Sequence, residues 1–178
     1  TGHKEVQFAS AGSTSFDGVN DYIDCGTAIG TSFGASVSEI TVSAWVNTDV
    51  TGNDSGIFGF GTFSNNSVMS LTLDTSTQLR FYTAVGYQTY ASTLTAGRWY
   101  HVACTYDASL SSNEKKLYLD GVLVSEQTET TNPDLDGEKL VLGSYYSSSY
   151  GWDGKLANVA FWGRALKLEE IQSVMHKQ

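Results

Sequence analysis

The chain has 178 residues, of which 40% are hydrophobic and 16% are charged, so it suits one folded domain with a substantial core and does not resemble a disordered chain. The net charge is −9, and the longest basic run is Lys115-Lys116; this argues against nucleic acids and anionic membrane surfaces as partners. No apolar run approaches the length of a membrane-spanning helix, so we expect no membrane insertion.

Short segments in which apolar and polar residues alternate run through most of the chain, and turn residues separate them. The alternation is clearest in four segments, 40–46, 69–73, 79–82 and 100–106. A period of two predicts strands with one buried face. Strands that recur at this short spacing favour a β-sandwich over a series of βαβ units.

Two later segments add detail to the predicted strands. Residues 117–124 contain Asp120-Gly121, a pair that supplies the positive φ angles of a two-residue hairpin turn. In residues 154–162, Leu156 is out of phase with the apolar residues that follow it. A β-bulge at Ala157-Asn158 restores a common buried face, so we predict one there.

The last segment has a helical pattern. Leu168, Ile171 and Met175 recur at helical spacing, and Glu169 and Glu170 lie in the first turn, where negative charge is favourable. We therefore predict a short C-terminal helix that docks against the sandwich.

Four stretches, in this order, resemble the laminin-G-like and pentraxin-like domains of the concanavalin A-like superfamily. They are Ser15 to Ile23, Ile40 to Val46, Gly97 to Asp107 with Leu117 to Gly121, and Trp152 to Leu156 continuing into Trp162 to Leu166 and Glu170-Ile171. The resemblance implies an all-β fold, a two-sheet antiparallel jelly-roll sandwich with a short C-terminal helix, formed by a single domain (residues 1–178, core about 14–176). It also implies that the Phe-Asp-Gly strand near the N-terminus lies next to the last strand.

The same resemblance implies a calcium site in one of two places. Pentraxin-like proteins bind Ca²⁺ through two loops, which correspond here to the loop with Asn65 and Asn66 and to residues 144–149. The second loop lacks a carboxylate, although Ca²⁺ takes about six to eight oxygen ligands. This argues against a double calcium site of the pentraxin type.

The second place is a structural calcium site where the Phe-Asp-Gly loop meets the last strand. Asp17, Asp21 and Asn158 are its candidate ligands, although Ala157 and Asn158 replace the paired acids that are usual in the family. The alternative is that Asp17-Gly18 is a turn that Asp21 caps through backbone N–H groups. Both interpretations remain open at this point.

The candidate carbohydrate site is a loop rich in tyrosine and serine. Tyr145, Tyr146 and Tyr150 are flanked by serines, which predicts that their rings are exposed, and the C–H faces of sugars stack on such rings. Asn65 and Asn66 are the candidate hydrogen-bonding partners that orient the sugar. The second group of tyrosines is Tyr82, Tyr87 and Tyr90, whereas Trp152 is predicted to belong to the core.

Catalytic motifs are missing. The sequence has neither the Glu-x-Asp-x-x-Glu strand of laminarinase-like glycosidases nor a His-Glu-x-x-His zinc motif. We therefore expect no enzymatic activity. The two cysteines, Cys25 and Cys104, are predicted to be free thiols, with one disulfide as the alternative.

The sequence thus predicts a non-catalytic, lectin-like module for a glycan or polysaccharide, with calcium as a structural cofactor. The expected location is extracellular or on the cell surface, within a larger multidomain protein or assembly. The alternative is a structural or adhesion domain of a surface or virion protein that has no sugar site.

Overall fold

The computed structural model describes residues 5–7, 12–50, 53–61, 68–75, 78–84, 86–91, 94–145 and 150–176. In chain order the elements are β1 (Glu5–Gln7), β2 (Thr14–Asp17), β3 (Ile23–Asp24), α1 (Ala28–Phe33), β4 (Glu39–Thr48), β5 (Ser55–Gly61), β6 (Val68–Leu73), β7 (Gln78–Thr83), β8 (Gly86–Ala91), β9 (Trp99–Asp107), β10 (Lys115–Leu119), β11 (Val122–Gln127), β12 (Leu140–Leu142), β13 (Asp153–Trp162) and α2 (Leu168–His176). Neither of these two helices is long and apolar enough to cross a membrane.

The strands form two antiparallel sheets. The seven-stranded sheet has the order β1-β13-β4-β9-β10-β11, with β2 also paired to β13, and the six-stranded sheet has the order β3-β12-β5-β6-β7-β8. The predicted all-β sandwich and its C-terminal helix are confirmed. Because Phe16 lies opposite Gly154, the pairing of the Phe-Asp-Gly strand with the last strand is confirmed as well.

The main core lies between the two sheets and is rich in aromatic rings. Phe58, Phe60 and Phe161 meet edge to face, with ring centroids 5.7 to 6.4 Å apart. Trp152 is fully buried, as predicted, and its Nε1 donates a hydrogen bond to the carbonyl oxygen of Asn47 at 3.3 Å. Burial of such large rings is the main source of stability in a sandwich of this kind.

Two local predictions are also confirmed. Asp120 and Gly121 have φ angles of 48° and 72°, as the hairpin turn between β10 and β11 requires. The pairing of β13 with β4 shifts between Ala157 and Ala160, and Asn158 has a φ angle of 49°. This irregularity is the predicted bulge.

Helix α2 packs on the outer face of the seven-stranded sheet. Its buried Ile171 lies on a second apolar cluster, which we call the helix-docking patch: Ala103, Tyr118, Ala160, Trp162 and Leu166. The guanidinium of Arg164 donates two hydrogen bonds of 2.8 Å to the Glu170 carboxylate. This bidentate pair holds the first turn of α2 to the segment before it.

The two cysteines are free, as predicted. Cys104 is fully buried in the main core, whereas Cys25 is only half-buried. Burial raises the pKa of both thiols, so both are poor nucleophiles at neutral pH.

Candidate functional site on the six-stranded sheet

The outer face of the six-stranded sheet carries the polar residues of three neighbouring strands. Gly59 of β5 pairs with Ser70 of β6, which pairs with Tyr82 of β7. One row further along, Gly56 is aligned with Thr72, which pairs with Arg80. The alternating neighbours, such as Phe58, Leu71 and Phe81, point into the main core. The strand period of two therefore places the polar set together on the other face.

The two glycines of β5 leave a trough in this face, and the backbone of Tyr145 fills it. A Cβ atom on Gly56 would lie 2.2 Å from the Tyr145 nitrogen, and one on Gly59 would lie 2.3 Å from its carbonyl oxygen. Any side chain at either position would collide with backbone atoms. The backbone of Tyr145, shortly after β12, is therefore seated directly on the sheet.

The structure corrects the predicted exposure of Tyr145, whose exposed fraction is only 7%. Its ring stacks on that of Tyr150, with centroids 4.6 Å apart and planes at 29°. Tyr150 is only half-buried, so it is the more accessible of the two rings. Tyr145 is thus the inner, anchoring member of the pair.

The hydroxyl of Tyr145 donates a hydrogen bond of 3.3 Å to Oδ2 of Asp54. Burial, together with the nearby Asp54 carboxylate, raises the pKa of Tyr145, so the hydroxyl remains a proton donor. The other carboxylate oxygen of Asp54, Oδ1, is buried and has no hydrogen-bond partner in the described part of the chain. A buried acceptor of this kind is costly unless a ligand or water satisfies it.

Arg80 lies on the same face and is held in place by Asp74. The Arg80 Nη2 atom lies 2.8 Å from Asp74 Oδ2, and Asp74 Oδ1 accepts a hydrogen bond of 2.7 Å from the Gln78 backbone. The Arg80 side chain is 27% exposed. Its positive charge lowers the pKa of the Tyr145 hydroxyl, against the larger opposing effect of burial.

Of the predicted carbohydrate-binding residues, the structure brings Tyr145 and Tyr150 together. Tyr146, Asn65 and Asn66 lie outside the described residues. Tyr82, from the other predicted tyrosine group, shares the outer face with the pair, whereas Tyr90 packs against the main core. Sequence reasoning missed four residues of the site: Asp54, Gly56, Gly59 and Arg80. The alternation of β7 was a usable signal for Arg80, because it placed that residue on the polar face beside Tyr82.

The structure does not bring the three predicted calcium ligands together. Asp17 lies opposite Asp153, and Asn158 is five positions further along β13, which at about 3.3 Å per residue is roughly 16 Å away. The bulge after Ala157 shortens this span only slightly and does not close the distance. This corrects the predicted grouping of Asn158 with Asp17 and Asp21.

The turn interpretation of Asp17 and Asp21 has direct support. Asp17 Oδ1 accepts hydrogen bonds from the backbone N–H groups of Val19, at 2.9 Å, and Asn20, at 3.4 Å. Asp21 Oδ2 accepts one from the Asp17 N–H at 3.2 Å, and the N–H of Val19 is the main cause of the lowered pKa of Asp17. The described residues contain no group of three or more acidic, histidine or cysteine side chains placed to hold a metal ion. With Asn158 separated from Asp17 along β13, the three predicted ligands do not form the implied calcium site together.

Comparison with known proteins agrees with this architecture. Residues 17–172 match a laminin G family model described as the concanavalin A-like lectin/glucanases superfamily. The chain belongs to that superfamily. No curated protein matches its sequence.

Three solved structures show how widely this superfamily fold is shared. A heptameric SAP-like pentraxin from Limulus polyphemus is 17% identical, with a TM-score of 0.68 over 91% of this chain and 80% of that one. The sialidase module CBM40 from Ruminococcus gnavus, bound to α2,3-sialyllactose, is 12% identical, with a TM-score of 0.69 over 93% and 99%. Domain 4 of an extracellular arabinanase from Geobacillus stearothermophilus, in complex with arabinotriose, is 18% identical, with a TM-score of 0.63 over 91% and 87%. At these identities the likeness is one of fold.

Proposed function

We propose that this chain is a non-catalytic carbohydrate-binding module that holds a glycan on the outer face of its six-stranded sheet. The observation that carries the proposal is the Tyr145–Tyr150 stack, seated in the glycine trough beside a buried Asp54 oxygen that has no hydrogen-bond partner among the described residues. Tyr150 is the stacking surface for a sugar ring. The part-exposed Arg80 is the polar group that orients sugar hydroxyls, and Asp54 holds the tyrosine pair in place from beneath.

The rigidity of this surface supports a binding role. The backbone of Tyr145 rests on β5, and its hydroxyl is fixed by Asp54, so little conformational entropy remains for a ligand to remove. Aromatic side chains of this kind provide a large contact area with few rotatable bonds. Two of the similar structures were solved with an oligosaccharide bound, which adds support at the level of the fold.

The carboxylates of this face suit binding better than glycoside hydrolysis. Hydrolysis of a glycosidic bond uses one carboxyl group as a proton donor and a second as nucleophile or base. Both oxygens of Asp74 already accept hydrogen bonds, one from the Gln78 backbone and one from Arg80.

The net charge of −9 favours neutral sugars over polyanionic ones as ligands. An extracellular or cell-surface location is part of the proposal.

A glycan array, followed by calorimetry on the best ligand, tests this function. Tyr150→Ala should weaken binding by about 10-fold, because a stacked aromatic contact contributes roughly 1 kcal/mol beyond its buried area. Trp99→Ala is the matched control, since Trp99 is an exposed aromatic residue of the other sheet and should leave the affinity unchanged. We expect binding to survive EDTA.

Three outcomes contradict the proposal in different ways. Loss of binding in EDTA would point to a calcium-bridged mode of the pentraxin type. Equal effects of the Tyr150 and Trp99 variants would move the site away from this sheet. Failure to bind any glycan would favour the structural or adhesion role.

A further inference from the structure

His101 is an imidazole buried on the outer face of the seven-stranded sheet, away from the candidate glycan site. It belongs to β9, it is fully buried, and neither ring nitrogen has a hydrogen-bond partner among the residues described. Its ring meets the ring of Trp45 on β4 edge to face, with centroids 5.5 Å apart. A neutral imidazole tolerates this apolar position, whereas an imidazolium would have two donors and no acceptor.

The C-terminal half of α2 lies against the turn that adjoins His101. Gln172 Nε2 donates a hydrogen bond of 3.0 Å to the Gly121 carbonyl, and a Cβ on Gly121 would lie 3.5 Å from the end of the Met175 side chain. The neighbouring Asp120 N–H donates to the His101 carbonyl at 2.8 Å. The C-terminal half of α2 is therefore in contact with the β10–β11 turn, and that turn is hydrogen-bonded to the backbone of His101.

The charges around His101 favour the neutral ring. Burial lowers the pKa of His101 to about 4; the nearby Asp120 opposes this shift, and His176 at the end of α2 adds to it. Asp120 is already engaged: its Oδ1 accepts the His101 N–H at 2.9 Å, and its Oδ2 lies 3.5 Å from Arg98. In an exposed state the same ring would titrate near the ordinary value of about 6.5.

A protonated His101 needs water, and α2 is the easiest element to displace. The helix has nine residues, and Ile171 is its single buried residue. Opening the sandwich on the other side of β9 would instead expose the main core. The bidentate Arg164–Glu170 pair would keep the displaced helix tethered at its first turn.

We propose that mild acid releases α2 from the seven-stranded sheet, with protonation of His101 driving the release and the helix-docking patch becoming exposed. The direction of the pH effect follows from the linkage between proton binding and opening. The open state binds the proton more tightly than the docked state, so acid shifts the equilibrium towards the open state. The shift takes place at pH values between the ordinary pKa of histidine and the lowered one. From pH 8 to pH 5 the opening constant should rise by roughly 30-fold.

Hydrogen exchange of the full chain, corrected for the intrinsic pH dependence of exchange, tests this release. Backbone amides of α2 should lose about 30-fold protection between pH 8 and pH 5, while β4 and β9 keep theirs. In His101→Phe, which has an apolar ring of similar size, the protection of α2 should not depend on pH. His176→Gln is the matched control and should retain most of the dependence, because His176 is exposed.

The proposal is overturned if α2 protection in the natural protein is flat over this pH range. It is also overturned if the dependence survives in His101→Phe, or if β4 and α2 lose protection together. Should His101→Phe fail to fold, His101→Gln and a direct NMR titration of the His101 ring replace it. A ring that titrates near its ordinary pKa while α2 stays docked would refute the mechanism.

Discussion

The two outer faces of this sandwich are covered in different ways. On the six-stranded sheet, the backbone of Ser144 and Tyr145 lies against Gly56 and Gly59, and Tyr145 stacks on Tyr150. On the seven-stranded sheet, helix α2 places Ile171 on the helix-docking patch. The Tyr145 backbone can lie on the six-stranded sheet because the two residues beneath it have no side chains. Helix α2, in contrast, is held on the seven-stranded sheet by contacts with side chains.

This difference indicates which of the two segments, the Tyr145 backbone or helix α2, can separate from its sheet. Backbone seated in a trough is held by shape, so the tyrosine pair is a fixed platform suited to ligand binding. A short helix held by one buried side chain and a few polar contacts can separate without disturbing the main core. The proposed binding function and the proposed pH response therefore belong to opposite faces.

The largest effect should come from filling the trough. Gly59→Ala places a Cβ 2.3 Å from the Tyr145 carbonyl oxygen and should lower the free energy of unfolding by about 2–3 kcal/mol, measured by urea denaturation. The control is Gly12→Ala, because a Cβ there meets nothing within 4 Å; it should change stability by less than about 0.5 kcal/mol. Equal stability of the two variants would show that the Tyr145 backbone is not tightly seated.

A smaller effect is expected for the helix-docking patch. Ile171→Ala should cost about 2 kcal/mol, at the low end for a buried isoleucine, because α2 can move to fill part of the cavity. Ser173→Ala, an exposed position of the same helix, should be nearly neutral. If Ile171→Ala proved more damaging than Gly59→Ala, the helix would be the more firmly held of the two segments.

The smallest effect on stability should come from the Arg164–Glu170 pair, which tethers the first turn of α2. The hydrogen bonds from Arg164 lower the pKa of Glu170 to about 2, so this pair stabilises the protein fully above the ordinary glutamate pKa and less as the pH falls towards 2. The Glu170 side chain is 40% exposed. Glu170→Gln should therefore lower the free energy of unfolding by less than about 1 kcal/mol at neutral pH, measured by thermal unfolding.

The matched control for the tether is Glu169→Gln, at an exposed position of the same helical turn. It should leave the melting temperature unchanged. If Glu169→Gln lowered the melting temperature as much as Glu170→Gln, negative charge near the helix start would be the cause, and not the pairing with Arg164.

Much of the fold was predictable because its signals are local. The alternation in β4 and β9, the Asp120-Gly121 turn and the phase break at Ala157-Asn158 each arise from backbone geometry over a few residues. The site was less predictable. Serines beside Tyr145 indicated exposure, but the tyrosine is buried because two glycines about ninety positions earlier in the chain accept its backbone.

The calcium ligands show the same limit. The resemblance placed Asp17 and Asn158 in one site, but the strand register puts Asp153, not Asn158, opposite Asp17. A family pattern names residue types in order, whereas metal binding depends on distances of a few ångströms.

The sequence by itself determined the clearly alternating strands and the terminal helix, since periodicity and turn chemistry act through neighbours in the chain, and the resemblance in residue order implied the two-sheet sandwich. Only the tertiary structure decided which tyrosine is inner and which is accessible, that Asp54 and Arg80 lie beside them, and that His101 is buried near the end of α2. Those facts depend on contacts between segments distant in sequence, where a missing Cβ or a shifted register decides the outcome.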